Sequence, residues 1–384
     1  MKIYILLKRN ILTIIFGLFL VFLIVFSKNN LSAAKDGLTL WATCVVPSLF
    51  PFFIATELLN YTNIAQIFGK LLSKIMKPFF NIPGEGAYAF IMGIISGYPV
   101  GAKIVSEFYS NGICTKNEAE RMIAFTNNSG PLFVIGTVGI LLFGNSTIGI
   151  LLFITHVLAS ISVGFILGIC SRIYKPSEKK LPYSNIKQEK LAASISNLGN
   201  ILGNSIHNAI WTVLLIGGFV VLFSIILSIL NRLNIISTFS NLLTNFWVPY
   251  DFSKALTSGI IELTNGVNIA SGIHTKAIST NIILCAFLLG FGGFSILLQV
   301  LSIIAKCGLS IKTYFLGKIL QGLFAALYTT LFINNFSIFN IDIPTSLGIQ
   351  SSIPLFNILI ITSVLIFGII LVFINQKKIA NHNI

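Results

Sequence analysis

The stretch IISGYPVGAKIV, residues 94–105, interrupts an apolar run that would otherwise read as one buried helix. Pro99 lacks an N–H and pushes Tyr98 away from helical dihedrals, while Gly97 and Gly101 permit unusual backbone angles and close packing. The break frees backbone groups, and unpaired groups are costly in lipid. It is tolerable only inside protein or along a wet cavity. Residues 86–110 are therefore read as a helical hairpin that enters and leaves the membrane on one side, with Lys103 as a cation beside its tip.

The surroundings set the class. Hydrophobic residues make up 55% of the 384 and charged ones 9%, whereas soluble domains carry about 25% charged residues. Apolar runs near the length needed to cross a bilayer recur at 11–26, 38–59, 120–143, 147–171, 208–231, 278–305, 312–334 and 355–375. A second interrupted segment, 252–272, reads like 86–110. The expectation is an all-α polytopic membrane protein with about eight transmembrane helices and two re-entrant hairpins. Lys2, Lys8 and Arg9 before the first run also suit a secretory signal, but its length favours an uncleaved anchor.

Charge placement orients the chain. The net charge of +14 lies in short loops beside apolar runs, with no basic face on a soluble module, so nucleic acid is not an expected partner. With both termini cytoplasmic and each hairpin returned to its own side, the outer segments hold only Lys28, Lys35, Arg232, Lys254 and Lys276 among the basic residues. Counting one hairpin as a single crossing would spoil that asymmetry. Cys44, Cys114, Cys170, Cys285 and Cys307 show no metal or redox spacing and read as core residues.

The same layout contains an internal repeat. A span, an amphipathic segment, a broken hairpin and two spans occur over 35–172 and again over 206–335. An anchor (1–34) precedes them, a basic cytoplasmic linker (173–205) joins them, and a helix with a tail (336–384) follows. The copies would have opposite orientation, the architecture of secondary transporters whose sites lie where the repeats meet.

Polar breaks at matching places mark the candidate site. They are Gly97, Tyr98, Pro99, Gly101 and Lys103 in the first hairpin, and Thr126, Asn127 and Asn128 in the next span. The second repeat contributes Glu262, Thr264, Asn265, Gly266 and Asn268 in its hairpin, then Gly293 and Gln299. Lys103 and Glu107, four apart on one helix, could simply pair. Glu262 has no adjacent cation and is the leading ligand- or proton-binding group. His156 and His207 read as packed, hydrogen-bonded histidines. No P-loop, dinucleotide fingerprint, HExxH or nucleophile elbow is present, so neither an enzyme nor a cofactor is expected.

CVVPSLFPFFIATELL, GIISGYPVGAKIVSEFYSNGICTKNEAERMIAFTNNSGPLFVIGTVG, GIIELTNGVNIAS and LLGFGGFSILLQV resemble the YlbJ family of sporulation integral membrane proteins. The resemblance spans about residues 35–335 and extends to the wider group carrying the Gate, or nucleoside recognition, domain. It implies a role in endospore formation at the stage of cortex assembly, in the membranes of the sporulating cell. The expectation is a permease-like protein that moves or senses a small polar solute, nucleoside-like or anionic. The lipid bilayer is its environment, and further copies or sporulation membrane proteins are its other partners. The alternative is a non-transporting scaffold that positions such partners through the basic linker.

Overall fold

The computed structural model describes residues 2–173, 197–246, 248–274 and 277–334, all of whose regular elements are helical. Helices α1 (Lys2–Val25) and α2 (Ser27–Leu40) meet at 98°. A π-helical turn, Trp41–Val45, leads into α3 (Val46–Asn60), which carries Pro51 in its interior. The expected span 38–59 is thus divided between elements, because Pro47 and Pro51 remove backbone donors from the ladder.

Helix α4 (Ile64–Ile75) and a π-helical end (Met76–Phe80) precede the first hairpin, α5 (Gly86–Ser96) and α6 (Val100–Ser110). Gly97 turns the chain at φ +79, a region that a side chain would strain. Helix α7 (Lys116–Thr126) starts with a capping box. Thr115 Oγ1 accepts from the Glu118 N–H at 3.3 Å, and Glu118 accepts from the Thr115 N–H at 2.8 Å. The chain then opens over Asn127–Gly130 and resumes as a π-helical run, Leu132–Leu142. The expected span 120–143 is consequently two pieces, split where Asn127, Asn128 and Pro131 disfavour helix. Helix α8 (Ser146–Ile173) is unbroken.

The second series repeats this order. Helix α9 (Leu198–Arg232) takes in residues expected to belong to the linker. It is followed by α10 (Ile235–Thr244), the hairpin α11 (Tyr250–Ile261) and α12 (Leu263–Ser271), the broken pair α13 (Ile278–Phe291) and α14 (Gly293–Ile304), and α15 (Lys312–Asn334). Four helical segments are long and apolar enough to cross a membrane, and α1 with α2 makes five if counted as one span. The described residues thus do not reach eight by length and composition, and the expected span 355–375 lies outside them.

The first helices of the two series, α3 and α9, pack together, as do the last, α8 and α15. Helix α8 shows why it sits between lipid and core. Ile150, Ile154, Leu158, Phe165 and Ile169 form an exposed stripe, whereas Thr155, His156, Ala159, Ser160 and Val163 are buried. Its seam with α15 includes hydroxyl pairs, Thr155 with Thr329 at 2.9 Å and Ser162 with Tyr328 at 2.7 Å. Such contacts hold membrane helices together where hydrophobic attraction between them is weak.

Candidate functional site

The first hairpin's tip lies against the break in the following span. A Cβ on Gly97 would approach the Gly130 nitrogen at 3.0 Å, and one on Gly101 would approach Asn127 Cα at 3.0 Å. The second hairpin does the same with its own following span. A Cβ on Gly293 (φ +78) would lie 2.9 Å from the Gly259 carbonyl oxygen and 3.2 Å from the Leu263 nitrogen. Tyr98 then joins the two series. Its hydroxyl donates to the Leu289 carbonyl at 3.3 Å, beside the second break.

A polar network fills this junction. Lys318 on α15, 1% exposed, donates to the Asn127 carbonyl and, at 2.7 Å, to Gln321 Oε1. Its ammonium lies 5.3 Å from the Tyr98 ring centre and 5.6 Å from that of Tyr314. Gln321 Nε2 donates to Asn128 Oδ1 at 2.8 Å, and Asn127 Nδ2 to the Tyr314 hydroxyl at 3.0 Å. His156 on α8 accepts from the Ser129 N–H at 3.2 Å through Nε2. Among the described residues its Nδ1 has no partner, nor do Thr126 Oγ1 and Asn127 Oδ1. Among the described residues no carboxylate pairs with Lys318. Its side-chain nitrogen is thus held by neutral groups alone, and an ionisable residue in a membrane segment usually marks a pathway or a binding site.

The residues expected from sequence separate into groups. Gly97, Tyr98, Gly101, Thr126, Asn127 and Asn128 meet at the junction, and Pro99 caps the start of α6 there, whereas Gly293 packs on the second hairpin beside it. Lys103 does not join them. It forms an ion pair with Glu57 on α3 instead of pairing with Glu107 four residues on, because the fold brings α3 alongside the hairpin. Glu262 is buried, and its carboxylate caps α12 by accepting from the N–H groups of Thr264 at 3.1 Å and Asn265 at 2.8 Å. The Asn265 side chain donates to it as well, at 2.8 Å. Gly266 packs against Gly259 across the hairpin, and Gln299 is buried on α14.

Capping alters the expectation for Glu262. Glu262→Gln keeps one acceptor oxygen and turns an amide towards backbone donors, so it should lower stability by about 1–3 kcal/mol. Thermal unfolding of the purified variant checks this. An unchanged midpoint would show that the cap contributes nothing.

Sequence reasoning did not place Lys318, Gln321, Tyr314 or Ser129 in the site, and read His156 as a packed, hydrogen-bonded histidine, which its bond from the Ser129 N–H matches. The signal was present: a lysine six residues into an apolar helix, with a glutamine three residues later on the same face.

Two cavities flank the hairpins without including Lys318 in their walls. One of about 930 Å³ lies between α4, the first hairpin and the start of α7, with Asn60, Lys70, Tyr88 and Glu107 in its lining. The other, about 410 Å³, lies between α2, the π-helical run, α9 and α12, and includes Asp36, Asn231, Thr264, Asn265 and Asn268. Both are in the size range of small-molecule sites.

Comparison with known proteins places this geometry. Residues 42–171, the first series from the π turn before α3 into α8, match the Gate family, described as nucleoside recognition. Over 315 residues the chain is 35% identical to the sporulation integral membrane protein YlbJ of Bacillus subtilis strain 168, covering 79% of this chain and 77% of that protein. No solved structure matches. With that identity over most of both chains, this multi-pass membrane protein belongs to the YlbJ family of sporulation integral membrane proteins.

Proposed function

We propose that this chain serves endospore formation, at the stage of cortex assembly, as a permease-like protein that moves or senses a small polar solute, nucleoside-like or anionic. One observation carries the reading. A fully buried lysine sits on neutral partners where the breaks of two like-ordered helical series meet. Broken helices at mid-membrane present free backbone dipoles, the means by which secondary transporters hold polar cargo. The repeated order of elements and the basic-residue asymmetry support an inverted repeat, re-entrant hairpins on opposite sides and cytoplasmic termini. The two cavities would then be access vestibules. The basic linker on which a scaffold reading rests lies mostly outside the described residues.

A deletion strain should grow normally and form few heat-resistant spores, restored by the wild-type gene. Purified protein in liposomes should take up labelled nucleosides or labelled small carboxylates above empty vesicles. Normal spores from the deletion would remove the developmental role. Uptake of neither class, with no binding to the purified protein, would remove the solute reading.

A further inference from the structure

We propose that the junction is a monovalent-cation site occupied by the chain's own Lys318 ammonium, a tethered stand-in for a free coupling ion. The groups around that ammonium share one chemistry. They are the Asn127 carbonyl, Gln321 Oε1 and the faces of Tyr98 and Tyr314, all neutral and electron-rich. Aromatic faces with oxygen acceptors form the usual cage for an ammonium group.

The backbone adds to this. Helix α7 ends at Thr126, so the Asn127 carbonyl lies at a helix C-terminus, where the macrodipole is negative. In transporters with broken helices, half-helix C-termini and unwound carbonyls coordinate sodium ions or protons. Two more buried oxygens of the same break, Thr126 Oγ1 and Asn127 Oδ1, have no partner among the described residues. This is the oxygen-rich setting of a hard cation, yet among the described residues no carboxylate pairs with the ammonium to balance a second positive charge. The site therefore suits one charge, and Lys318 supplies it.

Attachment changes what such a cation can do. Lys318 belongs to the second series and its carbonyl acceptor to the first, so the ammonium ties the two together. A free ion would bind and leave, whereas a tethered one can only move with α15. Any transport cycle through the junction would then need no sodium there. This consequence rests on the pathway reading; the occupancy of the cage does not.

Thermal unfolding of the full chain purified in detergent tests the occupancy. The wild type should melt at the same temperature in sodium chloride and in N-methylglucamine chloride. Lys318→Ala should melt several degrees lower, and its midpoint should rise saturably with ethylammonium chloride. Lys318→Met, which keeps the stem but loses the charge, should melt lower and respond to neither cation. Lys318→Arg should retain most of the wild-type midpoint. A Lys318→Met midpoint equal to wild type, a sodium-specific rise in the wild type, or a folded Lys318→Ala blind to ethylammonium would each overturn the proposal. Should Lys318→Ala fail to fold, the wild-type and Lys318→Met measurements still decide. Failure of uptake in liposomes would count against the pathway reading and leave the cage standing.

Discussion

Gly101→Val should strip the protein from membranes almost completely, and Gly93→Val should do the same. The two glycines lie on opposite arms of the first hairpin and pack against one feature, the Thr126 carbonyl at the end of α7. A Cβ on either would sit on that oxygen. On Gly101 it would also stand 2.7 Å from the Thr126 carbonyl carbon and 3.0 Å from Asn127 Cα. These are backbone atoms, and they cannot swing aside as the end of a side chain can. Relief would require the hairpin to move off the break that receives Lys318, exposing unpaired backbone groups to lipid. Ordinary overpacking costs about 1–3 kcal/mol, and here it compounds with lost backbone pairing to exceed about 5 kcal/mol, the range of exceptional single substitutions. Membrane immunoblots against matched transcript levels provide the readout. Gly136→Val and Gly218→Val are the controls, because among the described residues nothing lies within 4 Å of a Cβ at either. Near-normal levels of Gly101→Val would show that the hairpin does not pack on the break.

Much of this arrangement was readable from residue order. The breaks announced themselves because glycine and proline stand out against an apolar background, and the first pair of short helices runs from Gly86 to Ser110, the expected bounds. The matching polar interruptions of the two series were visible too, but not that each hairpin packs on the break that follows it. What could not be read depends on contacts between distant segments. Lys103 has an acid four residues away in sequence, but its partner, Glu57, is 46 residues upstream. Lys318 donates to a backbone carbonyl 191 residues away, an acceptor that exists only because the chain opens at Asn127. No side-chain pattern advertises a free carbonyl. Glu262 shows a second role that residue type alone leaves open, because an acid just ahead of Leu-Thr-Asn can cap a helix as well as bind a ligand. Helix continuity was also overestimated, since hydropathy registers apolar length and is blind to the π-helical segments at Trp41–Val45 and Leu132–Leu142.

The ion pair between Lys103 and Glu57 should give the other large effect, and an asymmetric one. Glu57 on α3 has its side chain 10% exposed, and its second oxygen accepts from Asn208 Nδ2 on α9 at 3.2 Å. Lys103 on α6 is 28% exposed. The carboxylate therefore joins the hairpin to the packed pair of first helices and depends on the lysine to balance its charge. Lys103→Met would leave that charge buried with one amide, at a cost of about 3–5 kcal/mol for a broken buried pair. Glu57→Leu should cost less, about 1 kcal/mol, because the longer lysine can turn its head towards water along an apolar stem. Combining the two substitutions removes both charges and lets apolar side chains fill the space, so most of the loss should return. Unfolding of the four purified proteins in one detergent closes the cycle. A double variant as unstable as the sum of the single ones would mean that the pair carries no coupling. A double variant near wild-type stability that still fails to restore spores would instead show that the charges serve the solute pathway and not the fold.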